Sequence, residues 1–303
     1  MKNKKLLLLV FLCLLACKLQ AQQRPVFSQY MFNGLVLNPA YAGSQKQLSA
    51  TGIFRKQWVN IEGAPSTLNA TVHSGFEKKE IGMGLMISND IIGIHNDLGV
   101  YVSYAYQITM ERGTLAMGIQ GGFNNLNTDF NKLNLKYGRD PILFGKVSNF
   151  NPNFGTGLYY STQTSYIGFS VPFIINNRVF QGQEIINYAK EARYYFLSAG
   201  KVFDVHPSVK LKPSTLIRVQ EGAPVGFDAN INVILEDIIS FGTSYRSNDA
   251  VVLLFHVIAN ENFTFGYAYD WTLSALNPHT RGSHEIMVNY RINLTSKPCH
   301  SYF

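Results

Sequence analysis

From Leu48 almost to the end of the chain, large apolar side chains alternate with small or polar ones. In the stretch 81–87 the odd positions are all large and apolar, whereas two of the three even positions are glycine. Successive residues of a strand point to opposite faces, so each such run predicts a strand with one apolar and one polar face. Fourteen runs follow one another, over residues 48–58, 66–76, 80–88, 98–108, 113–124, 153–162, 164–174, 193–203, 213–220, 225–235, 237–246, 249–260, 262–271 and 283–293.

Two all-β architectures accept many short alternating strands. A soluble sandwich or propeller turns the apolar face inward and covers its outer face with charge. A transmembrane barrel turns the apolar face toward lipid and needs about 9–11 residues per strand. Charged residues make up only 15% of this chain, against about 25% in an ordinary soluble protein. The polar face is rich in Gly, Ser, Thr and Asn, which suits a lumen, so we predict an antiparallel transmembrane β-barrel of about 14 strands.

The connections between the runs alternate in length, as they do in bacterial barrels with short periplasmic turns and long outer loops. The predicted outer loops are 59–65, 89–97, 125–152, 175–192, 221–224, 247–248 and 272–282. The predicted inner turns are 77–79, 109–112, 163, 204–212, 236 and 261. An even number of strands returns the chain to the side on which it started, so we expect both termini in the periplasm.

Residues 1–21 have the form of a secretory signal peptide. Lysines precede an apolar run from Leu6 to Cys17, which is shorter than the ~18–20 residues of a membrane-spanning helix. Cleavage after Ala21 is one reading, and lipoprotein processing at Cys17 is the alternative. The expected organisation is a leader over 1–21, an N-terminal periplasmic or plug segment over 22–47, a barrel over 48–293 and a tail over 294–303. Cys299 lies in that tail.

An uncharged, aromatic-rich segment with an Asn-Pro-Ala turn precedes the first strand. Its pattern F-S-Q-Y-M-F-N, followed by L-N-P-A-Y-A-G, resembles the opening of the PorP/SprF family of outer-membrane proteins of the type IX secretion system in Bacteroidetes. Gly34 stands where the family pattern has proline. Further similarities are R-K-Q-W at 55–58, G-M-G at 82–84 and G-S-H-E-I at 282–286.

The resemblance implies export or surface anchoring of secreted proteins such as adhesins or gliding-type substrates. It also implies periplasmic ring and motor partners, and retention of the C-terminal domain of a cognate secreted adhesin. We expect the motif either to dock on the periplasmic machinery or to enter the barrel lumen. The candidate docking residues are Phe27, Ser28, Gln29, Tyr30, Met31, Phe32, Asn33, Asn38, Pro39, Ala40 and Tyr41.

Four charged residues fall on the small or polar face of their strands, so we expect them in the lumen, paired across strands. They are Arg218, Asp228, Asp270 and Arg291. The pairs Asn89-Asp90 and Asn96-Asp97 bracket a predicted loop and offer oxygen ligands that Ca²⁺ prefers, although such pairs are also ordinary turn residues. We therefore assign neither a metal nor a cofactor.

No motif points to catalysis. His284-Glu285 does not open H-E-x-x-H, because residue 288 is Val. The adjacent Ser283 and His284 point to opposite faces of a strand. The formal net charge of +7 includes four leader lysines, whose removal leaves +3, so a nucleic-acid partner is not expected. The alternative functions that the sequence leaves open are a general porin and a purely structural barrel.

Overall fold

The computed structural model describes residues 26–76, 80–133, 145–177 and 191–293. Their strands form one sheet in which sequence neighbours pair antiparallel, and the last strand pairs with the first, so the sheet closes into a barrel. The strands are β1 (Leu48–Lys56), β2 (Ser66–Phe76), β3 (Ile81–Ile92), β4 (His95–Met110), β5 (Gly113–Asp129), β6 (Lys146–Ser161), β7 (Ser165–Val171), β8 (Tyr194–Lys201), β9 (Phe203–His206), β10 (Val209–Gln220), β11 (Gly226–Leu235), β12 (Ile239–Arg246), β13 (Ala250–Ile258), β14 (Phe263–Thr272) and β15 (Ser283–Ile292).

Strands β8 and β9 both pair with β10 and together make one position in the wall. The barrel is therefore fourteen-stranded, as predicted, and each predicted run coincides with a strand. The interruption lies at Val202, opposite Lys212 and Pro213, between the pairs Ser214–Gly200 and Leu211–Phe203. Proline has no N–H to donate to a ladder, which accounts for an interruption at this point.

Two of the predicted connections are wrong, and the predicted outer loop 125–152 is too long, because β5 continues to Asp129 and β6 begins at Lys146. The outer loop 89–97 is strand almost throughout, because β3 and β4 continue to a two-residue turn at 93–94. Asp90 and Asp97 lie opposite each other in the ladder instead of bracketing a loop. The inner turn 204–212 is also mostly strand, since β9 and β10 are joined at 207–208. Asn, Asp and Pro are typical of turns, yet they also occur on the polar face of a strand or at a ladder break, and the sequence alone does not separate these cases.

We name the two ends of the barrel by their connections. The short-turn end carries 77–80, 111–112, 162–164, 207–208, 236–238 and 259–262, and the long-loop end carries 57–65, 93–94, 130–145, 172–193, 221–225, 247–249 and 273–282. Both the start of β1 and the end of β15 lie at the short-turn end. The predicted leader 1–21, the processing site at Cys17 and the tail 294–303 with Cys299 lie outside the described residues.

The outer wall is apolar and the inner wall is mostly polar. In β1, for example, Phe54 is 46% exposed whereas its neighbour Arg55 is 1% exposed. This alternation recurs along the strands and supplies the lipid-facing band of a membrane barrel. Among the described residues, no helix has the length and apolar character needed to cross a bilayer.

Residues 26–47, which we call the lumen segment, lie inside the barrel. The segment forms three short 3₁₀-helices, Tyr30–Phe32, Gly34–Val36 and Pro39–Tyr41. Its apolar side chains pack against the wall in two clusters, each on a different set of strands. One cluster joins Tyr30, Met31 and Leu37 to Tyr194, Phe196, Leu216, Val252, Leu254 and Ala268, and the other joins Leu35, Ala40, Tyr41 and Ala42 to Ala105, Ala116 and Tyr159.

Glycines in the wall let the backbone of the lumen segment approach the strands. A Cβ atom on Gly82 would lie 1.9 Å from the Ala42 carbonyl oxygen, and one on Gly118 would lie 2.2 Å from the Ala40 nitrogen. Real Cβ atoms do not come this close to backbone atoms. The two glycines of the G-M-G pattern at 82–84 therefore face the segment inside the lumen.

Candidate functional site

The candidate site is the contact between the lumen segment and the inner wall. At the long-loop end, the backbone N–H groups of Ser28 and Gln29 each donate to the carboxylate of Glu285 at 2.8 Å. The Gln29 side chain donates to the same carboxylate at 3.2 Å and contacts His256 Nε2 at 3.0 Å. Glu285 and Gln29 are both fully buried. One barrel carboxylate therefore holds a turn of the segment through its main chain.

Arg55 and Asp270 complete this contact. The Arg55 guanidinium contacts Asp270 at 2.6 Å and Glu285 at 3.0 Å, and it donates to the Ser28 hydroxyl oxygen at 2.8 Å. That hydroxyl in turn donates to the Asp270 carboxylate at 2.8 Å. Charge-assisted hydrogen bonds of this kind are the stronger ones in proteins. We call Arg55, Asp270 and Glu285 the carboxylate clamp.

The charge network continues along the wall beyond the clamp. Arg246 contacts Asp270 at 3.4 Å and Asp228 at 3.2 Å, and Arg218 contacts Asp228 at 2.8 Å. Positive and negative groups therefore alternate around the long-loop end of the lumen. Residues 26–45 of the segment contain no charged residue, so the charges of this network all come from the barrel wall.

The structure places Arg218, Asp228 and Asp270 on the inner wall, within this single network. Arg291, the fourth charged residue predicted to face the lumen, lies at the short-turn end, where its Nε donates to the Asn289 side-chain oxygen at 2.6 Å. Arg55, Arg246 and Glu285 were not predicted as site residues. Their inward positions in alternating strands were readable from the sequence, but their convergence depends on which strands meet when the barrel closes.

Midway along the lumen, Asn38 fixes the Asn-Pro-Ala turn. Its side-chain oxygen accepts from the Ala40 N–H at 2.9 Å and caps the helix Pro39–Tyr41, while its Nδ2 donates to the Leu158 carbonyl at 2.9 Å. The Ser170 hydroxyl donates to the Leu37 carbonyl at 2.6 Å. These contacts join one turn of the segment to β6 and β7.

Toward the short-turn end, the segment is held through its backbone. Gln107 donates to the Ala42 carbonyl at 3.3 Å, and the Gly43 N–H donates to His73 Nδ1 at 3.3 Å. The Tyr41 ring packs edge-on against Tyr159 at a centroid distance of 5.4 Å. The segment therefore runs from the clamp at one end of the lumen to the start of β1 at the other.

Aromatic residues of the segment fill the space between these anchors. Phe27 packs against Ile53 and Met287, and Phe32 lies 3.9 Å from the His256 ring, measured between centroids. Asn230 donates to the Tyr30 hydroxyl.

The predicted motif thus lies within the lumen, which was one of its two expected positions. The motif residues contact the inner wall of the barrel. Some of them bind the clamp, others pack in the apolar clusters, and others belong to the turn that Asn38 caps. Asn33 joins this set, because its side-chain oxygen accepts from the Thr71 hydroxyl at 3.1 Å. Docking of these residues on a partner stays a prediction.

The fold is similar to solved bacterial barrels. The Ralstonia pickettii toluene transporter TbuX gives a TM-score of 0.51 at 11% identity, covering 85% of this chain and 92% of its own. The CymD monoaromatic hydrocarbon channel gives 0.49 at 11% identity, covering 88% and 92%. The Acinetobacter baumannii outer membrane protein Omp33 gives 0.46 at 8% identity, covering 82% and 98%. At this identity the similarity to TbuX shows the barrel fold alone.

No curated protein sequence matches the chain. The sequence pattern described as "Type IX secretion system membrane protein PorP/SprF" matches residues 19–290. This range includes the lumen segment, the clamp and nearly all of the barrel, and it confirms the resemblance of the opening motif. The chain therefore belongs to the PorP/SprF family of type IX secretion system membrane proteins.

Proposed function

We propose that this protein is an outer-membrane component of the type IX secretion system that assists the export or surface anchoring of secreted proteins. The substrates would be of the adhesin or gliding type, retained through a C-terminal domain, and the periplasmic partners would be ring and motor components. Membership of the family carries this proposal. The filled lumen supports it, because a barrel occupied by its own chain is suited to binding more than to free diffusion.

In this proposal the short-turn end faces the periplasm, as in other bacterial barrels. The start of β1 and the end of β15 then lie on the periplasmic side, close to the ring and motor components. With the motif inside the lumen, the short turns would present the surface that meets these components. The long loops would face the exterior, where a secreted protein would be retained.

A general porin is the alternative function. The fold alone does not exclude it, because one architecture can carry unrelated functions. The inner wall of a general porin lines an aqueous channel, whereas here residues 26–45 pack against the wall from the clamp to the short-turn end. Conductance in a planar bilayer separates the two functions, since a general porin conducts in its resting state.

Affinity purification from native membranes tests the proposal. The full chain, tagged after Phe303 and extracted in a mild detergent, should co-purify ring or motor components together with a secreted protein, as read by mass spectrometry. Another outer-membrane barrel with the same tag is the control for adhesion to the resin. Recovery of the same proteins with both barrels would contradict the proposed role.

A further inference from the structure

The ion pairs of the clamp and of Arg246 do not depend on the lumen segment. Arg55 pairs with Asp270 and Glu285, and Arg246 pairs with Asp228, all within the wall. The segment adds no charge of its own between residues 26 and 45. Breaking a buried ion pair is costly because it leaves an uncompensated charge, but withdrawal of residues 26–45 leaves these wall pairs intact.

Beside its contacts with the side chains of Ser28, Gln29 and Asn38, the wall binds the backbone of the segment at several points. Glu285 accepts the N–H groups of two successive residues. Ser170 and Gln107 donate to two carbonyl oxygens farther along the segment. Any polypeptide of suitable shape carries the same donors and acceptors. Gly82 and Gly118 of the wall are compatible with other sequences for the same reason, because they meet the segment at its main chain.

One part of the wall is not satisfied by the present occupant. On β11 and β12, four small uncharged polar side chains face inward and are nine-tenths or more buried. They lie farther from the long-loop end than the Asp228–Arg246 pair does. We call Asn230, Asn232, Ser240 and Ser244 the polar strip. Within the described part of the chain, both amide atoms of Asn232, the side-chain oxygen of Asn230 and both serine hydroxyls have no hydrogen-bond partner. A buried polar atom without a partner is unfavourable, so the strip weakens the plugged state.

We propose that the lumen is a receptor for an extended, uncharged polar polypeptide segment of a partner protein, which displaces the lumen segment and pairs with the polar strip. This inference rests on the proposed function, in which the partner is a secreted protein held at the long-loop end. The charge-compensated clamp favours an uncharged segment, and the strip favours Asn, Gln, Ser or Thr side chains, which both donate and accept.

A disulfide between the segment and the wall makes the exchange testable. A Cβ on Gly84 would lie 3.5 Å from the Cβ of Ala42, which is within the range that a disulfide bridges. The nearest other atoms belong to the flexible Leu35 side chain. Ala42→Cys with Gly84→Cys, in a Cys299→Ser background, would lock the segment in place when oxidised, and we call this engineered bond the staple. The same protein in reductant is the matched control.

Exchange is measured on the full chain, with a protease site inserted after Lys46 and cut in detergent. A dye-labelled synthetic peptide of residues 26–46 is the probe, and a scrambled peptide is its control. We expect the nicked barrel to take up the labelled peptide and to release the unlabelled one. Formation of the staple by oxidation should lower uptake at least tenfold, and reductant should restore it. A nicked barrel that takes up no probe, or takes up the scrambled peptide equally, would overturn the proposal.

The partner is tested by affinity purification with the stapled chain. We expect the secreted protein to be lost on oxidation and regained on reduction, while ring or motor components remain in both states. Equal recovery of the secreted protein in both states would show that it binds elsewhere and would overturn the lumen as its site. Absence of secretion proteins even in the reduced state would instead count against the proposed function, whatever the peptide uptake.

Discussion

Arg55 illustrates how a single residue takes its role from the alternation of its strand. Its neighbour Phe54 faces lipid, while Arg55 points inward and contacts Asp270, Glu285 and Ser28. An arginine on the lipid face near the bilayer centre would cost about 2–4 kcal/mol. Inside the lumen its charge is paired twice, so the residue orders the segment instead of destabilising the barrel.

Replacing Glu285 tests the clamp. Glu285→Gln preserves the shape of the side chain but removes the charge that faces Arg55 and two backbone N–H groups. We expect a loss of about 3 kcal/mol in the free energy of unfolding, the range for breaking a buried pair. Urea unfolding in detergent, followed by tryptophan fluorescence, measures it.

The matched control is Asp237→Asn, which removes the exposed pair between Asp237 and Lys210 at the short-turn end. Exposed pairs contribute about 0–1 kcal/mol, so this variant should unfold close to wild type. Similar losses of unfolding free energy in the two variants would mean that burial of the clamp does not add to its contribution to stability.

Gly118 tests the close approach of the lumen segment to the wall. Gly118→Ala places a methyl group against the backbone of Ala40, and overpacking of this kind costs about 1–3 kcal/mol. Gly52→Ala in β1 is the control, because its Cβ would meet no described atom within 4 Å. We expect only the Gly118 variant to lower the urea midpoint. An unchanged midpoint in that variant would contradict the position of the segment.

At the scale of elements, the lumen segment differs from the strands that surround it. It folds as three 3₁₀-helices of three residues each, joined at Asn33 and near Asn38. Short 3₁₀ turns expose backbone groups that longer helices would satisfy internally. Those groups bond to the wall instead, which explains why a segment without charges is held at several points along the lumen.

Asn38 is the element-scale test, because it both caps the helix Pro39–Tyr41 and bonds to the Leu158 carbonyl. Asn38→Ala removes both contacts. Loss of an N-cap costs about 0.5–2 kcal/mol, and a further hydrogen bond adds about 1 kcal/mol, so we expect a total loss of about 2 kcal/mol in urea unfolding. Asn131→Ala is the control, since Asn131 is exposed outside the lumen segment. Equal midpoints for the two variants would show that the turn does not anchor the segment.

At the scale of the whole molecule, closure and filling of the barrel occur together. The pairing of β15 with β1 brings Glu285 and Arg55 into direct register, and the same pair grips the segment that precedes β1. In lipid a sheet must close so that no backbone group stays unpaired. Closure therefore assembles the clamp as a consequence of forming the wall.

The orientation of the barrel is tested with single cysteines in a Cys299→Ser background. Glu62→Cys lies in the connection 57–65 at the long-loop end, and Glu111→Cys lies in the turn 111–112 at the short-turn end, both exposed. We expect an impermeant maleimide to label residue 62 in intact cells and residue 111 only after the outer membrane is permeabilised. The reverse pattern would place the short turns outside.

Conductance tests the resting state of the lumen. Because the segment packs against the wall from the clamp to the short-turn end, we expect the purified wild-type protein to show no steady open-pore steps in a planar bilayer. A large-pore porin of known conductance, measured in the same bilayers, is the positive control. Steady steps in most wild-type insertions would show that the plugged arrangement is not the resting state and would favour the porin alternative.

The sequence by itself determined that this chain forms a fourteen-stranded barrel. The alternation of side chains specified the strands, and the low charge content, the small polar face and the alternating lengths of the connections favoured a barrel over a sandwich. It also determined that Asp228 and Asp270 face inward, and the opening motif indicated the family. Only the tertiary structure decided that the motif occupies the lumen and that Arg55, Arg246 and Glu285 gather around it. The local pattern specifies which way a side chain points. The contact between Ser28 and Glu285, in contrast, depends on the pairing of β15 with β1, which closes the barrel around the segment.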